Sequence, residues 1–374
     1  MPMRARSATD GVVMAGALVV ALASGCYVGL GEDSTTDDDT EGSTSSGSAT
    51  GGPGSAAEAG PGGGPGGGPA GTDDGADTTN TGPGSATGEP TGADEGSASS
   101  ESGDPSAVEQ MCSRWTADRA DMSEGSWSGS VASCDPGDVS ADGRANALRV
   151  LNLHRWMVGL PEVTTDPMRD ELAQACALMM HANGSLSHDP PMGWTCYSSD
   201  GATAAGSSNI STGPGVMSVD LYMVDPGNAS TLGHRRWILS NSAGPVGLGS
   251  TSEYSCMWVL GGAGGGTNQW TAWPSPGPFP FEAISPLGFA SINDTGWSVQ
   301  SDDIDLDGAA VTITADGEPR PVTVTTLAGG YGSSSAISMI PQGWVAEVDT
   351  TYHVRVEGIA GGPIEYDVEI VDCG

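Results

Sequence analysis

The sequence predicts an α/β unit followed by an all-β sandwich, the two preceded by a disordered linker. Three patterns predict it. Apolar residues recur at helical spacing between residues 142 and 240, apolar and polar residues alternate in short runs after residue 266, and residues 27–108 lack the apolar content to fold.

The chain opens with Arg4 and Arg6, an apolar run from Gly11 to Ala23, and then Leu22-Ala23-Ser24-Gly25-Cys26. A positive end, a short apolar stretch and small residues at the cut make an export signal, and the run is too short to span a bilayer. The segment before the cysteine resembles a bacterial lipobox. Residues 1–25 are therefore expected to be a lipoprotein signal peptide, with Cys26 the lipidated first residue of the mature protein. Its acyl chains would make the membrane a partner, at the outer membrane or the cell surface.

Residues 26–108 are expected to form a disordered stalk. From Tyr27, the only aromatic there, to Val108 the chain holds 15 acids and no base among Gly, Ser, Thr and Pro. Such a stretch cannot bury enough apolar surface to offset chain entropy, and mutual repulsion of its acids extends it. The formal net charge is −35, and every basic residue is arginine. That balance excludes nucleic acid as a partner, because phosphate contacts need clustered Lys or Arg. Neutral and basic ligands fit better than anionic polymers.

Six cysteines follow Cys26: Cys112, Cys134, Cys176, Cys196, Cys256 and Cys373. An even number in an exported chain favours three structural disulfides. Nearness in sequence suggests Cys112–Cys134 and Cys176–Cys196, leaving Cys256–Cys373 to tie the two halves together.

In the first folded unit, Leu148, Leu151, Arg155 and Val158 fall on one helical stripe from Asp142, stopped by Gly159 and Pro161. A second helix starts at Asp166-Pro167, an N-cap followed by proline at the first helical position, and ends at Asn183-Gly184. Val216 to Val224 and Leu232 to Ser240 read as two more helices, and Tyr254 to Leu260 as a strand. Helices flanking a small sheet make an α/β layered domain over residues 109–265.

After Gly261–Gly266 the period changes to two. The runs 311–314, 322–324, 345–348, 352–356 and 366–371 read as strands, with turn residues such as Asp316-Gly317 and Gly361-Gly362-Pro363 between them. Short strands at this spacing predict an antiparallel sandwich, Ig-like in general shape, over residues 266–374. Trp273 to Pro286 would connect the units, packed by Trp270, Trp273 and Phe279.

The chemistry-bearing residues cluster in the first unit. Two of the five histidines stand in short, distinctive contexts: Ser185-Leu186-Ser187-His188 and Gly233-His234-Arg235-Arg236-Trp237-Ile238-Leu239. Asn152-Leu153-His154-Arg155 precedes them, Ser208-Asn209-Ile210 lies between, and Val246-Gly247-Leu248-Gly249 follows. In that order the segments resemble the CAP superfamily (cysteine-rich secretory, antigen 5 and pathogenesis-related proteins) in its bacterial form, over roughly residues 144–260. The resemblance implies an α-β-α sandwich whose cavity carries two histidines and two acids. It places His188 and His234 in that cavity. Ser208 stands where the family has a glutamate, and Asp225, in Tyr222-Met223-Val224-Asp225, takes the place of the other acid. Asn209 is expected to be a structural hydrogen-bonding residue lining the cavity.

With one carboxylate missing, the resemblance implies binding of a lipid, small molecule or protein more than catalysis. A base must be held within reach of its proton, and a carboxylate normally fixes its tautomer. No cofactor is required, although His188 and His234 could hold zinc or another divalent metal weakly. Two alternatives carry other signatures: a metal-assisted or histidine-dependent hydrolase using His188, His234 and Asp225, and an envelope or adhesion protein whose sandwich does the binding. His154, His181 and His353 read as packing or surface residues, and Arg235 and Arg236 as salt-bridging helix residues. The acidic run 302–308 lacks the closing glutamate of an EF-hand and reads as a solvated turn.

Overall fold

Helical caps and strand alternation set the architecture of residues 105–374, the part of the chain that the computed structural model describes. The expected signal peptide, Cys26 and nearly all of the expected stalk lie outside the described residues. Helix α1 (Ala107–Asp118) starts at a capping box in which Ser106 and Glu109 satisfy each other's amides. Helix α2 (Ala141–Met157) carries the predicted stripe, and α3 (Pro167–Asn183) has the predicted ends: Asp166 accepts from the Arg169 amide, and Gly184 closes it in the left-handed conformation. Then come α4 (Ser199–Ala205), β1 (Ser208–Thr212), α5 (Gly215–Val224), α6 (Gly233–Ile238), β2 (Gly247–Ser250) and β3 (Tyr254–Trp258).

The three strands form an antiparallel sheet in the order β1-β3-β2. Alternation sends Ile210, Tyr254 and Cys256 towards Ala173, Ala177 and Met180 of α3 and Ala204 and Ala205 of α4. Leu248 and Met257 face the other way, into a cluster with Val150 and Leu151 of α2 and Val219 and Met223 of α5. The sheet is thus covered by helices on both faces. Gly249 is glycine for a packing reason, because a Cβ there would run into the backbone of Ala173.

The remaining strands are β4 (Thr271–Trp273), β5 (Gly277–Pro280), β6 (Trp297–Ser301), β7 (Ala310–Ala315), β8 (Glu318–Pro319), β9 (Val322–Thr326), β10 (Ser335–Pro341), β11 (Thr350–Glu357) and β12 (Ile364–Val371), with the one-turn helix α7 (Ile292–Thr295) before β6. They build a four-stranded sheet, β4-β6-β10-β9, and a five-stranded one, β5-β12-β11-β7-β8, in which only the β5–β12 pair is parallel. Buried Trp297 of β6 meets Tyr352 of β11 edge to face at 5.4 Å, so the two sheets share apolar contacts. That apolar cluster is continuous from α1, α2 and α5 through Trp273 and Phe279 into both sheets. Trp273 and Phe279 pack at 4.9 Å, and Trp270 lies on Tyr366.

Two expectations are corrected. Residues 345–348 form no strand. Val345 is exposed, the Ala346 amide bonds to the Asn293 side chain, and the position beside β6 is taken by β10. The three disulfides are Cys112–Cys373, Cys134–Cys196 and Cys176–Cys256, so none of the expected pairs, Cys112–Cys134, Cys176–Cys196 and Cys256–Cys373, forms. Nearness in sequence misled because packing decides the partners. Helix α3 lies on β3 and sets Cys176 against Cys256, while α1 packs on β5 beside the chain end and sets Cys112 against Cys373.

Candidate functional site

The site is built where α5 ends and α6 begins. Asp225 caps α5 in the left-handed conformation, φ 58°, and is fully buried. Its Oδ2 accepts from the backbone amides of His234 (3.0 Å) and Arg235 (3.4 Å), and its Oδ1 accepts from Asn228 Nδ2 (2.7 Å). The same Oδ1 lies 2.9 Å from His234 Nδ1. An acceptor-only carboxylate there requires His234 to carry a hydrogen on Nδ1. The imidazole of His234 is 22% exposed while Asp225 is 0% exposed. A ligand can therefore reach the ring, whereas the carboxylate behind it only orients.

Around this pair, Tyr222 packs its ring against His234 at 5.2 Å, and its hydroxyl lies 3.1 Å from both the Asn209 carbonyl and Ser255 Oγ. Burial drives the Tyr222 phenol pKa up, so it stays neutral. Asn209 donates to the His234 carbonyl (3.1 Å), a bond that ties β1 to α6.

His188 sits in the loop before α4, with Nδ1 2.8 Å from the Ala205 carbonyl. A carbonyl can only accept, so His188 too carries a hydrogen on Nδ1. Burial lowers its pKa, the bond to Ala205 opposes that shift, and the proximity of His234 lowers it further. The two histidines are thus close enough for charge on one to disfavour charge on the other. Ser208 is buried at the start of β1, and its hydroxyl has no hydrogen-bond partner among the described residues. Strand alternation turns it away from Asn209, towards the α3 and α4 side.

Imidazoles whose Nδ1 is tied to a fixed acceptor have the arrangement that metal-binding histidines use. Among the described residues no group of three or more His, Cys, Asp or Glu could hold a metal ion. The run 302–308 folds as a turn: Asp305 accepts from the Asp307 amide and Asp302 from the Ser334 amide.

Arg235 and Arg236 depart from expectation. Both are fully buried, and their guanidinium groups bond to carbonyls and hydroxyls rather than to carboxylates. Among the described residues the expected salt bridges do not form, because the helix face that carries them is covered by the C-terminal strands. Burial pushes the pKa of each down to about 10. Asn228 was not singled out in the sequence. The turn signal Asp225-Pro226-Gly227 before it could have marked the segment, since Asp, Pro and Gly are turn residues.

A second polar cluster lies away from the site. His154 Nε2 is 3.1 Å from Asp220 Oδ1, and Arg119 grips both oxygens of Asp220 at 2.9 and 2.7 Å. His154 is packed between Trp115 and Trp273, as its reading as a packing residue implies.

Residues 148–260 match the model of the cysteine-rich secretory protein family, CAP. No curated protein and no solved structure matches the chain.

Proposed function

We propose that this protein, which carries a CAP domain over residues 148–260, is an exported, lipid-anchored cell-surface protein that binds its ligand at His188 and His234 without chemical turnover. The observation that carries the reading is the state of the two rings. Each imidazole is tied through Nδ1 to a fixed acceptor, the Ala205 carbonyl for His188 and Asp225 for His234, so both rings are held in one orientation for a ligand. Asp225 spends both oxygens on four donors and is sealed from solvent, which suits a group that orients rather than one that shuttles protons. Within this reading the helix-covered sheet is the α-β-α sandwich of the family and the two larger sheets are an Ig-like sandwich. The acidic segment before them is a disordered stalk.

Three disulfides fit an oxidising, extracytoplasmic setting. The lipid anchor rests on the segment ending in Cys26, and Cys26→Ser should release the protein from membranes or trap its precursor. Intact mass of the mature wild-type protein checks this, and an unlipidated terminus would refute it.

A metal-assisted hydrolase is the competing reading, favoured by the metal-ligand form of the two imidazoles. Wild-type protein and the His188→Ala/His234→Ala double variant would be analysed by native mass spectrometry for bound compounds. Both would also be assayed on ester and peptide substrates with and without zinc. A compound carried by wild type and lost from the double variant is expected. Turnover that needs both histidines would replace binding with hydrolysis.

A further inference from the structure

We propose that Arg235 is a positioning residue for His234, and that through it the C-terminal strands form part of the ligand site rather than a separate binding module. The geometry converges on one guanidinium. Its Nε donates to the Met223 carbonyl (2.6 Å) and its Nη2 to that of Val224 (3.2 Å), the two residues directly before Asp225. Its Nη1 donates to the Gly296 carbonyl (2.7 Å) and to Ser298 Oγ (3.1 Å), at the junction of α7 and β6. Nη2 also reaches Thr295 Oγ1 at 3.1 Å. Meanwhile the Arg235 backbone amide donates to Asp225 itself. One side chain therefore pins the end of α5, where Asp225 takes a left-handed conformation, to the helix that carries His234. It anchors both to the β-region.

The neighbouring arginine repeats the logic from the other side. Arg236 donates to the Thr231 carbonyl, in the loop leading into His234, and to the carbonyls of Ala328 and Ser333 between β9 and β10. The same loop presses Tyr331 against Gly233, where a Cβ would come within 2.7 Å of the ring. Planar guanidinium groups suit this task because their donors diverge at fixed angles and can span two elements, whereas a lysine ammonium is a single point. Among the described residues no carboxylate neutralises Arg235 at contact distance, so a buried charge is kept where an apolar side chain would fill the space. That is the pattern of a group retained for geometry.

The inference rests on the reading of His188 and His234 as a ligand site only for its consequence; the bracing of His234 is measured without any ligand. Full-length protein labelled with 15N-histidine would be prepared as wild type, Arg235→Lys and Thr295→Val/Ser298→Ala. The last keeps the arginine but removes two of its C-terminal acceptors. In wild type, the neutral form of His234 should show the nitrogen shifts of a single Nδ1–H tautomer. In both variants those two shifts should move towards each other as the ring exchanges between tautomers, while the signals of exposed His353 stay in place. A His234 tautomer unchanged in the Thr295→Val/Ser298→Ala protein would overturn the proposal, even if Arg235→Lys fails to fold. Loss of a bound compound in His234→Ala alone speaks to the ligand site and not to the brace.

Discussion

Replacing Asp225 by asparagine should invert the tautomer of His234. The substitution changes no volume and turns one acceptor oxygen into an NH2 donor. On the Oδ2 side that donor would meet the backbone amides of His234 and Arg235, which cannot become acceptors. The amide must therefore point its NH2 to the Oδ1 side, towards His234 Nδ1 and Asn228 Nδ2. His234 can adapt by moving its hydrogen to Nε2 and accepting at Nδ1, and Asn228 by flipping its amide to accept through its oxygen. The charge-assisted bonds of the carboxylate all become neutral ones. Hydrogen bonds to charged groups contribute about 1.5–3 kcal/mol, so the cost to folding is roughly 2–4 kcal/mol. For a folded part near 270 residues this lowers Tm by about 4–8 °C. Nitrogen NMR reads the tautomer and calorimetry reads zinc affinity, which should fall because the Nε2 lone pair is gone. A folded Asp225→Asn protein that keeps Nδ1–H on His234, or binds zinc as wild type does, would refute the orienting role.

Other outcomes follow from features away from the site. Non-reducing peptide mapping should return Cys112–Cys373, Cys134–Cys196 and Cys176–Cys256, and Cys176→Ala/Cys256→Ala, which opens a loop spanning 80 residues, should cost about 4–5 kcal/mol in denaturant titration. Burial lowers the His154 pKa below its unfolded value of 6.5. The unfolded chain therefore binds the proton first, and stability is full above pH 6.5 and falls as pH drops towards the folded value. The slope approaches about 1.4 kcal/mol per pH unit for this one group. Urea melts between pH 7 and 5 should show that slope, and a His154→Gln variant with an undiminished slope would assign it elsewhere. Gly249→Ala should destabilise by more than the ~1 kcal/mol typical of a strand substitution, because its Cβ collides with the α3 backbone; an unchanged melting curve would deny that close approach.

Much of the helical framework was legible because its signals are local. Asp166-Pro167 and Asn183-Gly184 bound α3 by chemistry that needs no tertiary partner. The small sheet was not legible. Ser208 to Thr212 is largely polar yet mostly buried, and Gly247 and Gly249 have the composition of a loop because α3 presses on their backbone. Strand β10 was missed for a related reason: Ala336 to Met339 are buried in succession, so the alternation that marks a half-exposed strand fades. At the site, short motifs pointed to His188, His234 and Asp225. The bracing of Arg235 by Gly296 and Ser298 involves partners about 60 residues away, and no periodicity carries such information.

The Cys112–Cys373 bridge has a mechanical consequence. It spans 261 positions and leaves only residues 105–111 and the final Gly374 of the described chain outside the covalent loop. Tension applied between the two ends would run through a single sulfur–sulfur bond and bypass every helix and strand within. Such a load could strip the first turns of α1 but could not peel β12 from β11 or draw α6 off its arginine anchors. A pull along the chain would meet a closed ring, which gives only when its bridge is reduced.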